Sequence, residues 1–175
     1  MKFYIADCFA EAKYQGNQLA VLIPDRPVDD GEMQRIAIET GFSETAFIMS
    51  GRRNNGGYDV RIFTTSCEVP FAGHPTLGTA YVIREILESG CPSKVILNLK
   101  AGQIPVEFTP DGRGIMTQNQ PVFGDRRSLS YTVSQGSEMG RPSRLYVDAA
   151  YDPVSGLYST HVGGRVFMVA EGEWR

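Results

Sequence analysis

Between residues 75 and 89 apolar side chains fall on nearly every side of a helical projection. Leu77, Ala80, Tyr81, Val82, Ile83, Ile86 and Leu87 form no single stripe, the pattern of a helix enclosed by other elements rather than laid on a surface. Pro75 suits the first helical position, because the N–H it lacks has no partner there. Gly90 and Pro92 supply the stop. Charges enter only at Arg84, Glu85 and Glu88, so the second half of the helix is expected to approach solvent and the first half to be walled in. Such a helix needs strands or helices wrapped round it.

The flanking sequence offers strands. Residues 2–9 alternate, residues 10–17 close a loop on Gly16-Asn17, and residues 18–23 alternate again. Asp29 or Asp30 can cap a short helix that carries Met33, Ile36 and Ala37 at helical spacing and ends at Gly41. Residues 42–49 place Glu44, Ala46 and Ile48 on one face and Ser43, Thr45, Phe47 and Met49 on the other. Further strands are expected at 58–64, 94–100, 102–109 and 114–118, with a hairpin at Ala101-Gly102. Pro105 implies that its strand is at an edge or irregular there. Residues 119–130 (NQPVFGDRRSLS) are polar and mark a boundary. Strands at 131–135, 144–149 and 161–170 follow, with no helix among them. The expected organisation is a domain over 1–118, a link over 119–130 and a β-rich tail over 131–175. That tail is poor in core and must pack on the first domain or on a second chain.

Composition narrows the function classes. The 175 residues are 42% hydrophobic and 21% charged, with a net charge of −3. That balance offers nothing to a polyanion, so no nucleic-acid partner is expected. Three cysteines (Cys8, Cys67, Cys91) and two histidines (His74, His161) lack the spacing of a disulfide framework or a zinc site. The opening MKFYIADCFA is broken by Asp7 and does not read as a signal peptide, and no stretch reads as a membrane span. A cytoplasmic protein with no metal and no membrane association is expected.

Two places could carry chemistry. Ala72-Gly73-His74 puts backbone N–H groups at a helix start, where the dipole favours an anion. Gly73 lets a ligand approach the backbone. The same residues equally make a tight strand-to-helix turn capped by histidine. Glu44 sits among small and apolar residues. A desolvated carboxylate there would have a raised pKa, useful to a proton carrier, whereas a strand-end glutamate pointing to water is the ordinary alternative.

These residues lie in a recognisable pattern. Gly16-Asn17 opens GNQLAV, Ser43-Glu44-Thr45 opens SETAF, residues 71–80 read FAGHPTLGTA, and residues 101–106 read AGQIPV. Towards the end stand QGSEMGRPS at 135–143 and VGGRV at 162–166. The chain resembles the phenazine-biosynthesis PhzF-type proteins, which share the diaminopimelate-epimerase-like fold. The resemblance implies an α/β (α+β mixed) fold, with a mixed sheet wrapped round a central helix in each of two similar halves and a cleft between them. It implies Glu44 as the proton shuttle of an isomerase and His74 beside it as a catalytic partner. Gly16, Asn17, Ser43, Gly73, Pro75 and Thr76 are the motif positions expected to bind substrate. No cofactor is implied.

Most of the second half that the family would supply, including its helix and its aspartate, has no counterpart between residues 118 and 131. Asp152-Pro153-Val154-Ser155-Gly156 looks like the motif that precedes that helix, but no helical pattern follows, and it reads as a hairpin turn. Cys67 reads as a small packing residue. Without a second half, Glu44 would face water. A homodimer could rebuild an enclosed cleft. The expected function is therefore that of a truncated PhzF-like isomerase or epimerase acting on a small carboxylate-bearing metabolite, as a dimer. The alternative is a non-catalytic small-ligand binding or assembly protein.

Overall fold

A computed structural model describes residues 1–118 and 128–174. Two strands open the chain, β1 (Lys2–Cys8) and β2 (Asn17–Ile23), followed by helix α1 (Asp30–Thr40). Next come β3 (Glu44–Ile48), β4 (Gly57–Thr64) and the short β5 (Glu68–Val69). Helix α2 (Gly73–Val82) runs on into a π-helical turn at Ile83–Leu87. The strands β6 (Lys94–Leu99), β7 (Gly102–Phe108), β8 (Gly114–Gln118) and β9 (Ser128–Gln135) follow, and then a 3-10 turn (Ser137–Met139). Strands β10 (Ser143–Asp152), β11 (Leu157–Gly164) and β12 (Val166–Glu173) complete the described chain.

One sheet links the strands in the order β12-β1-β2-β3-β4-β6-β7-β8-β11-β10-β9, with β5 paired to β4. The β2–β3 and β4–β6 pairs are parallel and the other pairs antiparallel, so the sheet is mixed. It rolls round α2. Leu77, Ala80, Val82 and Ile83 belong to one core with Ala6, Leu19, Ala46, Leu97, Val106, Met116, Val162 and Val166. The all-round apolar pattern thus has its physical cause in strands on every side. Each fully buried Leu or Ile contributes roughly 1.5–3 kcal/mol. The tail enters the same core through Val162 and Val166. A second, smaller core holds α1 against the outer side of the sheet through Leu22, Met33, Ile36, Phe47 and Phe63. Asp29 caps α1 by accepting from the Glu32 amide at 2.7 Å, and Gly41 ends it in the left-handed region at φ 68°.

Several expectations change in detail. The strand expected over 161–170 is two strands, broken at Arg165. β11 pairs with β8 and β10, whereas β12 leaves to pair with β1. Gly163 and Gly164 make the crossing possible, since a Cβ would stand 2.7 Å from the Gly114 carbonyl oxygen and 2.6 Å from the Phe9 ring, respectively. The helix expected to run to residue 89 widens after Val82, with the Glu88 amide donating to the Ile83 carbonyl at 3.0 Å. Residues 119–127 of the expected link lie outside the described residues, and 128–130 belong to β9. Pro105 lies in β7, between β6 and β8. The β8 ladder covers only Val106–Phe108, so at the proline the strand has a neighbour on one side only. Asp152 to Gly156 form the hairpin turn between β10 and β11, with the Asp152 carboxylate accepting from the Val154 amide and the Ser155 hydroxyl. Cys67 is exposed rather than packed. Its main chain closes the β4–β5 turn against Thr64, which is what that position contributes.

α2 sits close on β1 and β2 at Gly78, where a Cβ would lie 2.6 Å from Cys8 Sγ and 2.6 Å from Leu19 Cδ2. Gly78→Ala is therefore expected to destabilise the fold by about 1–3 kcal/mol through overpacking. Urea denaturation measures it, and an unchanged midpoint would show that helix and sheet have slack there.

Candidate active site

Glu44 is the first residue of β3 and shares the inner face of that strand with Ala46 and Ile48, which pack round α2. Thr45 points the other way, its hydroxyl 2.8 Å from that of Thr40 in α1. The alternation of the strand therefore aims Glu44 at the central helix. His74 is the second residue of α2. The chain reaches it from β4 through a turn and β5. That approach is held by Arg61, whose guanidinium donates to both carboxylate oxygens of Glu68 at 2.8 and 2.6 Å, and by the Ala101 amide on the Pro70 carbonyl.

The two side chains meet. His74 Nε2 lies 3.4 Å from Glu44 Oε2, and the side chains are 10% and 20% exposed. Both atoms are buried and neither has a hydrogen-bond partner among the described residues. The start of α2 and the inner face of β3 bury one carboxylate oxygen, Oε2, from within this one chain, while the Glu44 side chain as a whole stays 20% exposed. Burial holds the His74 imidazole below the usual histidine range, against the opposing pull of the Glu44 charge and the Gln18 main-chain carbonyl. At neutral pH the ring is neutral, and Nε2 faces a carboxylate.

The helix start adds an anion-favouring field. Ala72 occupies the N-cap with extended backbone, and no side chain caps the helix. Pro75 has no N–H to offer, and Thr76 spends its hydroxyl on the Ala72 carbonyl at 2.7 Å. The amides of Gly73 and His74 are the groups placed to meet a carboxylate or enolate oxygen. Of the other expected substrate-binding residues, Pro75 and Thr76 are buried in the first turn, and Ser43 is exposed just ahead of β3. Gly16 has a φ of 70° and donates its amide to the Pro142 carbonyl at 3.0 Å. Asn17 accepts from the Ser143 hydroxyl at 3.2 Å.

Sequence reasoning passed over three neighbours of the site. Cys8 is wholly buried, and burial pushes its thiol up, with the charges of Asp7 and Glu44 adding to the effect. It is a neutral thiol beside the carboxylate. Asp7 is buried and paired with Arg141. Gln18 acts through its carbonyl, which no side-chain pattern reveals. A charge at position 7 in the otherwise apolar run from Phe3 to Cys8 was the one visible signal. Among the described residues no three His, Cys, Asp or Glu side chains form a metal-binding set, and no helix is long and apolar enough to cross a membrane.

The depressed His74 pKa links to stability with a definite sign. A group harder to protonate when folded adds stability that is present above its unfolded pKa, about 6.5, and is lost as pH falls through the folded value. The wild-type denaturation midpoint should thus fall between about pH 7 and about pH 5, and His74→Gln should flatten that slope. An equal slope in both proteins would mean that His74 is not desolvated.

Comparison with known proteins supplies the family and the fold. The sequence profile of the family described as phenazine biosynthesis-like protein matches residues 6–130. An uncharacterised isomerase of Clostridium acetobutylicum is 38% identical over 124 residues, which is 69% of this chain and 41% of that protein. The trans-2,3-dihydro-3-hydroxyanthranilate isomerase of Pseudomonas chlororaphis is 34% identical over 122 residues, 69% of this chain and 42% of that enzyme. The chain thus matches roughly two fifths of the length of these relatives. The crystal structure of the Bacillus anthracis phenazine biosynthesis protein of the PhzF family superposes with a TM-score of 0.83 at 16% identity, over 100% of this chain and 99% of that one. That structural likeness carries the fold, a mixed sheet around a central helix, and the profile match carries the family: this chain belongs to the phenazine biosynthesis-like, PhzF-type proteins.

Proposed function

We propose that this chain is a cofactor-independent isomerase that moves a proton on a small carboxylate-bearing metabolite, with Glu44 as acid/base. The observation that carries the reading is the buried, unpartnered pair of Glu44 Oε2 and His74 Nε2, 3.4 Å apart at the uncapped start of α2. A carboxylate in a dry site can take a proton from one carbon and return it to another, so that it ends the cycle as it began. Neutral His74, whose other ring nitrogen faces the Gln18 carbonyl, positions the substrate by accepting a hydrogen bond at Nε2. The amides of Gly73 and His74 stabilise the negative charge that develops once the proton has left. Gly16, Asn17, Ser43, Pro75 and Thr76 shape the surrounding walls.

The homodimer belongs to this reading. The extension made by β9, β10 and β11 leaves Tyr131, Tyr151 and Leu157 exposed at 45%, 36% and 49%, and β9 is an outer strand of the sheet. Unpaired edges and apolar patches of this kind invite a second chain. The same observation supports the rival reading, a protein that binds or assembles without catalysis.

The substrate named for the P. chlororaphis relative is a usable probe. Incubated with trans-2,3-dihydro-3-hydroxyanthranilate in deuterated water, the wild type should exchange or relocate a carbon-bound proton, followed by proton NMR. Glu44→Gln should slow this by about 100-fold or more with an unchanged far-UV spectrum. Full exchange in that variant would remove Glu44 from the mechanism. Light scattering should return twice the 19.3 kDa chain mass across a concentration series, and a monomer throughout would sink the dimer.

A further inference from the structure

The turn at Gly140–Ser143 lies far along the chain from the site, yet a set of short bonds ties it to the end of β1 and the loop that leads into β2. Arg141 donates from Nη2 to Asp7 Oδ1 at 2.5 Å and to the Gln15 carbonyl at 3.0 Å, and from Nε to the Gly16 carbonyl at 3.0 Å. The other carboxylate oxygen of Asp7 accepts from the Tyr14 amide at 2.6 Å. Asp7 is 2% exposed. Gly16 closes the arrangement, since a Cβ there would stand 2.2 Å from the Cys8 carbonyl oxygen. Only the fork of a guanidinium reaches a carboxylate and two carbonyls at once.

This clamp fixes the very stretch on which His74 leans. Asp7 faces Gln18 across the β1–β2 ladder, and Cys8 faces Asn17. The Gln18 carbonyl is the main-chain group that acts on the His74 imidazole. Directly below, α2 rests on Cys8 Sγ and Leu19 through Gly78. A shift in the Asp7–Gly16 stretch would therefore move both the acceptor beside the ring and the floor under the helix.

We infer that Arg141 is a positioning residue for the His74–Glu44 pair, acting through Asp7 and the backbone of Gly16 to Gln18. It touches neither reacting group. It joins the tail to the first part of the chain and holds His74 in the orientation that keeps Nε2 towards Glu44. The inference rests on the reading of that pair as the proton-transfer site, but its test does not need turnover.

The test is histidine NMR on the full chain, with nitrogen-15 imidazole signals assigned through His161→Asn. In wild type, His74 should populate one neutral tautomer and titrate below the usual histidine range. Arg141→Lys keeps the charge and loses the fork. The double variant Asp7→Asn, Arg141→Met removes the clamp without leaving a buried charge unpaired, which would otherwise threaten folding. In both, His74 should populate both tautomers, and its midpoint should rise by about half a pH unit or more as water reaches the ring. Far-UV circular dichroism should not change. Folded variants in which His74 keeps its wild-type tautomer and midpoint overturn the inference, and loss of the fold in both variants overturns it too, because Arg141 would then be structural. Neither result depends on proton exchange, so the failure of Glu44 as the base would be seen separately in the Glu44→Gln experiment.

Discussion

The constraint on which the structure depends is that α2 has no polar face. Seven of its ten residues are buried, from Pro75 to Val82, and a short helix of that kind is stable only when enclosed. Enclosure explains the sheet. Strands from both ends of the chain must reach the helix, so β1 and β2 lie on it from one side and β8, β11 and β12 close from the others. Gly78 shows how tight the fit is, because even a methyl group would collide with Cys8 and Leu19. The Glu44–His74 pair stands where the first turn of the helix meets the start of β3, whereas the far end, at Ile86 and Leu87, opens to solvent.

Much of this was legible in the sequence because the signals are local. The all-round apolar run, Gly41 as a stop, Asp29 as a cap and the alternation that puts Glu44 with Ala46 and Ile48 each follow from a few neighbouring residues, whereas the run round Ile83 ends at Glu88, ahead of Gly90. The motif residues led to Glu44 and His74, which the fold brings within 3.4 Å. What was not legible is non-local. The break between β11 and β12 depends on Gly164 meeting Phe9, more than a hundred residues earlier. Arg141 reaches Asp7 and the carbonyls of Gln15 and Gly16 across a similar span. Neither periodicity nor turn chemistry encodes such a meeting, and the carbonyl of Gln18 has no sequence signature at all. Cys67 misled because a small residue in a sequence pattern reads alike in a core and in an exposed turn.

The burial of one Glu44 carboxylate oxygen, Oε2, is the point at which expectation and structure part most instructively. A carboxylate in half a cleft should be wet, on the reasoning that walls come in pairs. Here the walls are the helix start and the strand that carries the carboxylate. Both belong to the same half, and the tail completes the core behind them through Val162 and Val166. Burial of Glu44 Oε2 and His74 Nε2 is therefore achieved among the described residues of this one chain.

That enclosure has a thermodynamic cost which argues for use. A buried polar atom without a hydrogen bond destabilises a fold by about 1–3 kcal/mol, and here two such atoms, Glu44 Oε2 and His74 Nε2, face each other. The nearby buried charge is satisfied, since Asp7 takes bonds from both a guanidinium and an amide. Of the buried atoms left without a hydrogen bond among the described residues, which include Thr79 Oγ1, Thr160 Oγ1 and the Nε atoms of Arg113 and Arg165, this pair is the one in which a carboxylate and an imidazole stand together. Polar groups that the protein does not satisfy are groups a ligand can, and binding there stabilises the folded state in proportion to how well it does so. The same atoms that weaken the free protein are thus the ones through which a bound ligand would gain most.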